Sequence, residues 1–509
     1  METYIGAIDQ GTTGTRFMLF DHDGSVVANA YDRHEQRYPK PGWVEHDPTE
    51  IYGNVTGVIE RALSAAGIDA DRIDALGVTN QRETTVVWDA ETGEPVYDAI
   101  VWQDRRTTER IEALEAEGRA EWIRGKTGLE PDAYFSATKV EWILENADPI
   151  DPQRTRPRDL RDRAAAGELC FGTIDSWLIY NLTGAHVTDV SNASRTMLYD
   201  IHDLEWDDEL LAEFDVPEAM LPTVRPSSAE TPYGYTDPEW FLGSEIPVTG
   251  ALGDQQAALF GQTCFEAGDV KNTYGTGSFC LMNTGTTAVD SDHGLLTTVG
   301  FQLGEKAVQY ALEGSIFVTG AAIEWLDNVG LIEDPAETAE LARSVDSTDG
   351  VYLVSAFSGL GAPHWDGRAR GTIVGMSLGT RREHVVRATL EAIAYQTRDV
   401  IEAMEADSGI EPAALRVDGG AVKNNFLCQL QADIVRTELL RPAVDETTAL
   451  GAAYAAGLAV GYWESLEELR SNWRTDAEFE PAMEAKRADR QYARWNDAVE
   501  RSLEWERDA

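Results

Sequence analysis

Two distant segments of this chain follow the same plan: a strand, a turn of Gly and Thr, and a second strand. The segment AIDQGTTGTRFMLFD begins at residue 7, and DVKNTYGTGSFCLMNTG begins at residue 269. Apolar runs flank each turn, which is typical of a β-hairpin, although the two segments share no obvious identity. We therefore predict two α/β halves with related openings, the second beginning near residue 256.

The rest of the pattern fits alternating helices and strands. We divide the chain into an N-terminal domain, residues 1–255, and a C-terminal domain, residues 256–509, with the ligand cleft between them. Hydrophobic periodicity predicts helices over 49–66, 104–124, 316–329 and 383–406, a helix in GTIDSWLIYNLTG ended by Gly184, and strands in GVYLVSAF and ALRVDGG.

The charge balance excludes several classes of partner. The chain has 42 Lys and Arg against 89 Asp and Glu, a net charge of −47. Such a polyanion should repel nucleic acid and anionic membranes. Because the acidic residues are spread along the whole chain, we expect a surface adapted to a salt-rich cytosol; an ordinary acidic protein is the alternative.

Other features indicate a cytoplasmic protein. The four cysteines are far apart and form no CxxC pair, which suits a reducing compartment. The opening METYIGAIDQ lacks the apolar core of a signal peptide. The longest uncharged run, TALGAAYAAGLAVGYW, is short and rich in Ala and Gly, so it predicts a tightly packed buried helix instead of a membrane span.

The segment TNQRETT, residues 79–85, places Arg82 and Glu83 between two apolar runs. Adjacent opposite charges in such a position need a partner or a wet cleft. A small molecule made mostly of hydroxyl groups is one candidate, because Arg only donates hydrogen bonds and ionised Glu only accepts them. A structural ion pair is the alternative.

Three further motifs point to phosphate chemistry. The backbone N–H groups of both Gly/Thr turns could cradle phosphate oxygens, and an ordinary hairpin is the alternative. In ALGDQQAALFG, Asp254 is expected to be the N-cap of a helix, a role compatible with that of a general base. LRVDGGAVKNNF resembles a nucleotide-binding βα junction but lacks the GxGxxG fingerprint, and GKT at 125–127 lacks the rest of a P-loop.

Together, DQGTTGTR, PKPGWVEHDP, TNQRETT, GDQQAALFG, NTYGTGSF, GLGAPHWD and RVDGGAVKNN resemble, in content and order, the motifs of glycerol kinases. These enzymes belong to a carbohydrate-kinase family with the ribonuclease-H-like fold of actin and hexokinase. The resemblance covers nearly the whole chain. It implies two such domains around a ligand cleft, ATP-dependent phosphorylation of glycerol in the cytoplasm, and a homo-oligomer, either a dimer or a tetramer.

The resemblance also implies the roles of individual residues. Asp254 is expected to be the general base, and Asp9 and Asp254 are expected to hold Mg²⁺. Glycerol is expected to contact Arg82, Glu83, Tyr134, Asp254 and Gln255, with its carbon face against Trp102 and Phe279. ATP is expected to contact Thr12, Thr13, Gly14 and Arg16 in the first half, and Thr276, Gly320, Glu324, Gly420 and Asn424 in the second.

Some positions depart from the family pattern. Gly14 stands where many relatives have Ser, Glu324 replaces a usual Gln, and Lys423 and His364 differ from the commoner Ala and Tyr. Three rival functions remain open: a kinase for another polyol or a ketose, an ATPase that moves partners as actin and Hsp70 proteins do, and a non-catalytic binding protein. The intact Asp9, Arg82, Glu83 and Asp254 argue against the last.

Overall fold

Each half of the chain is built on one main sheet. The computed structural model describes residues 2–147, 160–239 and 241–506. In spatial order, the first sheet consists of Gly234–Tyr235, Pro247–Gly253, Ile73–Asn80, Tyr4–Gln10, Gly14–Phe20 and Val26–Arg33. The second consists of Leu296–Phe301, Gln309–Ile316, Ser278–Gly285, Val270–Tyr274, Ala414–Gly419, Glu438–Pro442 and Thr475–Phe479.

The two sheets share one plan. In each, a hairpin is extended on one side by a further antiparallel strand. On the other side, two parallel strands follow. The prediction of two α/β halves with related openings is confirmed. Shorter strands pair outside these sheets: Glu45–His46 with Ala99–Ile100, Val86–Asp89 with Leu169–Gly172, Val187–Asp189 with Thr223–Arg225, Tyr199–Asp200 with Glu205–Trp206, and Tyr352–Val354 with Thr372–Val374.

Helices cover both sheets. Those before residue 250 are Pro48–Ala66, Thr108–Ala116, Ala120–Thr127, Ser136–Asn146, Leu160–Ala165, Ile174–Thr183, Val190–Ala193 and Asp208–Glu213. Those after it are Asp254–Gly261, Gly320–Asn328, Glu337–Arg343, Arg382–Ser408, Asn425–Val435, Thr447–Val460, Leu466–Asn472 and Ala485–Val499. The first helix begins where the Asp47 side chain accepts from the backbone N–H groups of Thr49 and Glu50, so its start follows from a local cap.

Three sequence predictions were wrong in extent. The predicted helix over 104–124 is two helices, because Gly118, with φ of +73°, turns the chain between them. The predicted helix over 316–329 spans only Gly320–Asn328, because the preceding strand continues to Ile316. The strand predicted in GVYLVSAF is limited to Tyr352–Val354 and lies outside the second sheet.

The Ala- and Gly-rich run forms the helix Thr447–Val460, called here the Ala/Gly helix, and it is buried as predicted. It packs on the first sheet, although it lies in the second half of the sequence. The backbones approach so closely that a Cβ atom added at Gly77 would lie 2.1 Å from the carbonyl oxygen of Ala452. Within the described part of the chain, no helix combines the length and apolarity that crossing a membrane requires.

Candidate active site

Asp254 lies where the strand Pro247–Gly253 of the first sheet meets the helix Asp254–Gly261. The predicted N-cap role is wrong by one position: Gly253 is the cap, and Asp254 is the first helical residue. Its Oδ1 accepts from the backbone N–H of Gln255 at 2.7 Å and lies 3.2 Å from Nε of Arg82. Burial raises the pKa of Asp254, and Arg82 and Lys271 oppose that shift. A raised pKa makes this carboxylate a stronger base.

Arg82 and Glu83 follow the central strand Ile73–Asn80, and both are buried. Nη1 and Nη2 of Arg82 donate to the two carboxylate oxygens of Glu313, at 2.5 and 3.1 Å. Nε of Arg195 donates to Oε1 of Glu83 at 2.7 Å. The charges that the sequence left without partners are therefore held by two residues from other parts of the chain.

Aromatic rings surround this polar group. Trp102 and Tyr134 meet edge to face, with ring centroids 5.5 Å apart. The Phe279 ring lies across the cleft on the second sheet, 5.6 Å from Cζ of Arg82. Such walls suit the carbon face of a small alcohol, and the charged groups beside them are of the kind that hydrogen-bond hydroxyls.

Gln255 is held by a lysine that the sequence interpretation did not identify. Its Oε1 accepts from Nζ of Lys271, which also donates to Oγ1 of Thr273 at 3.0 Å and to the carbonyl oxygen of Phe279 at 3.2 Å. Burial lowers the pKa of Lys271, and nearby carboxylates oppose that shift. Lys271 therefore links two of the predicted glycerol contacts.

The first Gly/Thr turn, residues 11–13, adjoins this pocket. Nε1 of Trp102 donates to Oγ1 of Thr12 at 2.9 Å, and Thr13 lies 3.4 Å from the hydroxyl of Tyr31. A Cβ atom added at Gly14 would lie 2.3 Å from the carbonyl oxygen of Asp32, so a serine at this position would require its neighbours to move. Arg16 forms an ion pair with Glu446, which joins the turn to the second half.

The predicted nucleotide residues of the second half lie at the ends of neighbouring strands. The second turn, residues 275–277, is exposed at Thr276, whose carbonyl oxygen accepts from Thr319 and Ala321. Gly320 donates to the carbonyl oxygen of Gly275 at 3.0 Å. Gly420 is open on the side where a Cβ would stand.

Asn424 and Glu324 complete this set. Asn424 caps the helix Asn425–Val435, and its Nδ2 donates to Oγ1 of Thr338 at 3.1 Å. Glu324 is exposed on the helix Gly320–Asn328. These residues lie beyond the ends of strands of the second sheet, and Thr276 and Glu324 are exposed there.

Asp9 and Asp254 fit a magnesium site that also uses phosphate oxygens. Burial raises the pKa of Asp9 to about 7; Arg16 opposes the shift, and Glu446 and Asp254 add to it. A cation would relieve this repulsion between carboxylates. Mg²⁺ is commonly bound by one or two carboxylates with substrate phosphates and water. Among residues 2–147, 160–239 and 241–506, no group of three or more His, Cys, Asp or Glu side chains could hold a metal ion.

Sequence interpretation missed Arg195, Lys271 and Glu313, which are buried against the predicted ligands. Glu313 stands in the largely apolar strand Gln309–Ile316. A lone charge in such a strand needs a partner, so this pattern could have identified Glu313. Lys271 stands in the more polar strand Val270–Tyr274, which gives no such signal. Arg195, in SNASRT, has no comparable local pattern.

The chain matches known proteins over nearly its whole length. Residues 4–261 match the N-terminal domain of the FGGY family of carbohydrate kinases, and residues 270–460 match its C-terminal domain. Over 507 residues the chain is 72% identical to a glycerol kinase of Haloferax volcanii, covering 100% of this chain and 99% of that relative. A glycerol kinase of Petrotoga mobilis is 57% identical over 508 residues, covering 99% of each chain.

Solved structures agree with these matches. Plasmodium falciparum glycerol kinase with ADP superposes with a TM-score of 0.92 at 38% identity, over 99% of this chain and 98% of that one. A xylulose kinase of Lactobacillus acidophilus has a TM-score of 0.86 at 21% identity, over 98% of each chain, and shows likeness of fold alone. The predicted two-domain α/β kinase fold is confirmed.

Proposed function

The chain belongs to the FGGY family of carbohydrate kinases, and from this membership we propose that it transfers the γ-phosphoryl group of ATP to glycerol, giving ADP and sn-glycerol 3-phosphate. The observation that carries the proposal is the contact of Arg82 Nε with Asp254 Oδ1, at 3.2 Å, beside the buried Glu83. This arrangement sets a donor, an acceptor and a base close together.

Glycerol binds through its hydroxyls to Arg82, Glu83, Tyr134, Asp254 and Gln255. Arg82 donates and Glu83 accepts, so the pair orients two neighbouring hydroxyls in a fixed sense. Trp102 and Phe279 contact the carbon face. Sites built to bind hydroxyls discriminate strongly against ligands that lack them.

Asp254 accepts the proton of the terminal hydroxyl as its oxygen attacks the γ-phosphorus, and the bond from phosphorus to the β,γ-bridging oxygen breaks to release ADP. Arg16 and the N–H groups of both Gly/Thr turns bind the negative charge of the transferred group. Exclusion of water from the cleft prevents hydrolysis of ATP.

Asp9 and Asp254 would hold Mg²⁺, which when bound neutralises phosphate charge. The first half, residues 1–255, supplies Thr12, Thr13, Gly14 and Arg16 to the nucleotide. The second half, residues 256–509, supplies Thr276, Gly320, Glu324, Gly420 and Asn424. The exposed backbone at these turns and the open space beside Gly420 support this assignment.

The protein works in the cytoplasm as a homo-oligomer, a dimer or a tetramer. The loop between Thr372–Val374 and Arg382–Ser408 supports self-association, because Met376 is 62% exposed and Leu378 is fully exposed there. Exposed apolar surface that forms a contiguous patch commonly marks a contact surface.

A coupled assay of ADP release tests the reaction. It is run in molar KCl with glycerol, dihydroxyacetone, erythritol, ribulose and xylulose as acceptors. We expect the highest kcat/KM with glycerol. A higher value with a ketose or a longer polyol would support the rival kinases, and ATP hydrolysis that no acceptor accelerates would support an actin-like ATPase.

A further inference from the structure

The floor of the candidate active site holds four fully or nearly fully buried charges from both halves of the molecule. Arg82, Glu83 and Arg195 come from the first half, and Glu313 from the strand Gln309–Ile316 of the second. Two guanidinium groups face two carboxylates, so the cluster is neutral as a whole. This neutrality allows all four side chains to be buried.

Glu313 is shared between two arginines. Its carboxylate accepts hydrogen bonds from Nη1 and Nη2 of Arg82 and from Nη2 of Arg195, the last at 3.0 Å. Burial raises its pKa, but Arg195 and Arg82 outweigh that effect and bring the pKa to about 2. Since Nη1 and Nη2 of Arg82 are engaged, the guanidinium plane is fixed, and Nε lies 3.2 Å from Oδ1 of Asp254.

Arg195 fixes the other member of the pair. Its Nε donates to Oε1 of Glu83, and its Nη2 donates to Glu313, while its buried Nη1 has no hydrogen-bond partner among the described residues. Glu83 itself is held in the left-handed region, with φ of +61°, so its backbone is constrained as well. Buried ion pairs contribute little net stability, so this constrained geometry needs another reason.

We propose that Arg195 and Glu313 are positioning residues for the reaction: Arg195 fixes the carboxylate of Glu83, and Glu313 fixes the guanidinium of Arg82 across the two halves. This inference rests on the proposed function. Preorganised groups lower the barrier because they need no rearrangement when the alcohol binds. Loss of either residue therefore weakens the binding of glycerol and slows its phosphorylation. The affinity for ATP remains almost unchanged.

A double-mutant cycle tests whether Arg195 acts through Glu83. The variants are Arg195→Met, Glu83→Gln and the double variant. The control is Arg387→Met, which removes another buried guanidinium, 2.9 Å from Glu391 in the helix Arg382–Ser408 and outside the four-charge cluster. The KM for glycerol, the KM for ATP and kcat are measured in the same KCl, below the Tm of each variant.

We expect Arg195→Met to lower kcat/KM for glycerol by about 100-fold, with the KM for ATP changed less than about twofold. In the Glu83→Gln background, we expect Arg195→Met to lower kcat/KM for glycerol by less than about threefold. The carboxylate through which Arg195 acts is already absent in that background. Arg387→Met lowers the Tm and leaves both KM values unchanged.

Equal losses from Arg195→Met in both backgrounds, or equal effects on the KM for ATP and for glycerol, would overturn the positioning role of Arg195. If Arg195→Met does not fold, Arg195→Lys takes its place in the cycle, because lysine retains the charge but has one donor group where arginine has a fork.

A second variant, Glu313→Gln, tests in the same way whether Glu313 positions Arg82. This substitution is nearly isosteric, and Glu391→Gln is its control. Wild-type kinetics in Glu313→Gln would overturn the positioning role of Glu313. Failure of the wild type to phosphorylate glycerol would refute the proposed function itself.

Discussion

Asp254 lies in the candidate active site, 3.2 Å from Arg82, and burial raises its pKa, which favours the role of a general base. We predict that Asp254→Ala lowers kcat by about 10²–10⁴-fold, the usual contribution of general base catalysis. Binding of ATP, measured by calorimetry, should remain nearly intact. Asp346→Ala, at an exposed carboxylate, serves as the control. Turnover near wild type in the Asp254 variant would exclude this residue as the base.

For single residues, the sequence was informative where the signal lies in neighbouring positions of the chain. The pair Arg82 and Glu83 requires partners, and the polar and apolar pattern around it was enough to indicate a site. The sequence could not predict which residues those partners are, because Glu313 lies 231 residues from Arg82 along the chain and only the fold brings them together. The roles of individual site residues therefore stay predictions until variants are measured.

The close approach of the Ala/Gly helix to the first sheet makes a second prediction possible. Gly77→Ala should destabilise the protein by about 1–3 kcal/mol, because the new methyl group would overlap the backbone at Ala452. Gly53→Ala is the matched control. Gly53 is exposed in the helix Pro48–Ala66, and a Cβ atom added there would meet no described atom within 4 Å beyond the backbone of its own helix, so alanine there should stabilise the helix by about 0.5–1 kcal/mol.

Thermal unfolding at a fixed KCl concentration measures both variants. A Tm for Gly77→Ala equal to or above that of the wild type would contradict the observed packing. A lower Tm in both variants would indicate a general intolerance of alanine and not a specific contact.

The elements themselves were predicted with uneven success. Both hairpins and the helix ended by Gly184 follow from local signals, namely Gly/Thr turns between apolar runs and a left-handed glycine. The burial of the Ala/Gly helix also follows from its composition. Its composition does not predict which sheet it covers, because a helix without charged residues fits any close-packed apolar surface. The small residues Gly77 and Ala452 indicate close backbone packing only when the fold places them against each other.

The apolar loop that contains Met376 and Leu378 leads to a prediction about assembly. We expect the wild type to have a mass in solution of at least twice the 56.0 kDa of one chain. Leu378→Glu should shift this mass towards that of the monomer, because a charge at an apolar contact is costly to bury. Light scattering coupled to gel filtration measures the mass. Tyr38→Glu, at a 68% exposed residue of the first half, is the control, and equal shifts in both variants would argue against this loop as the contact.

The net charge of −47 governs the behaviour of the whole molecule. In dilute buffer these like charges repel one another and destabilise the compact state. At about 1 M salt the Debye length falls to about 3 Å, so the repulsion between exposed carboxylates is largely screened. We therefore predict that helical circular dichroism and glycerol-dependent ADP release both rise from dilute buffer to molar KCl. Sucrose of equal osmolality stabilises proteins by exclusion from their surface but does not screen charge, so it separates the two effects. Gains of equal size in sucrose, or no gain in KCl, would show that repulsion between surface charges does not limit the stability of this fold.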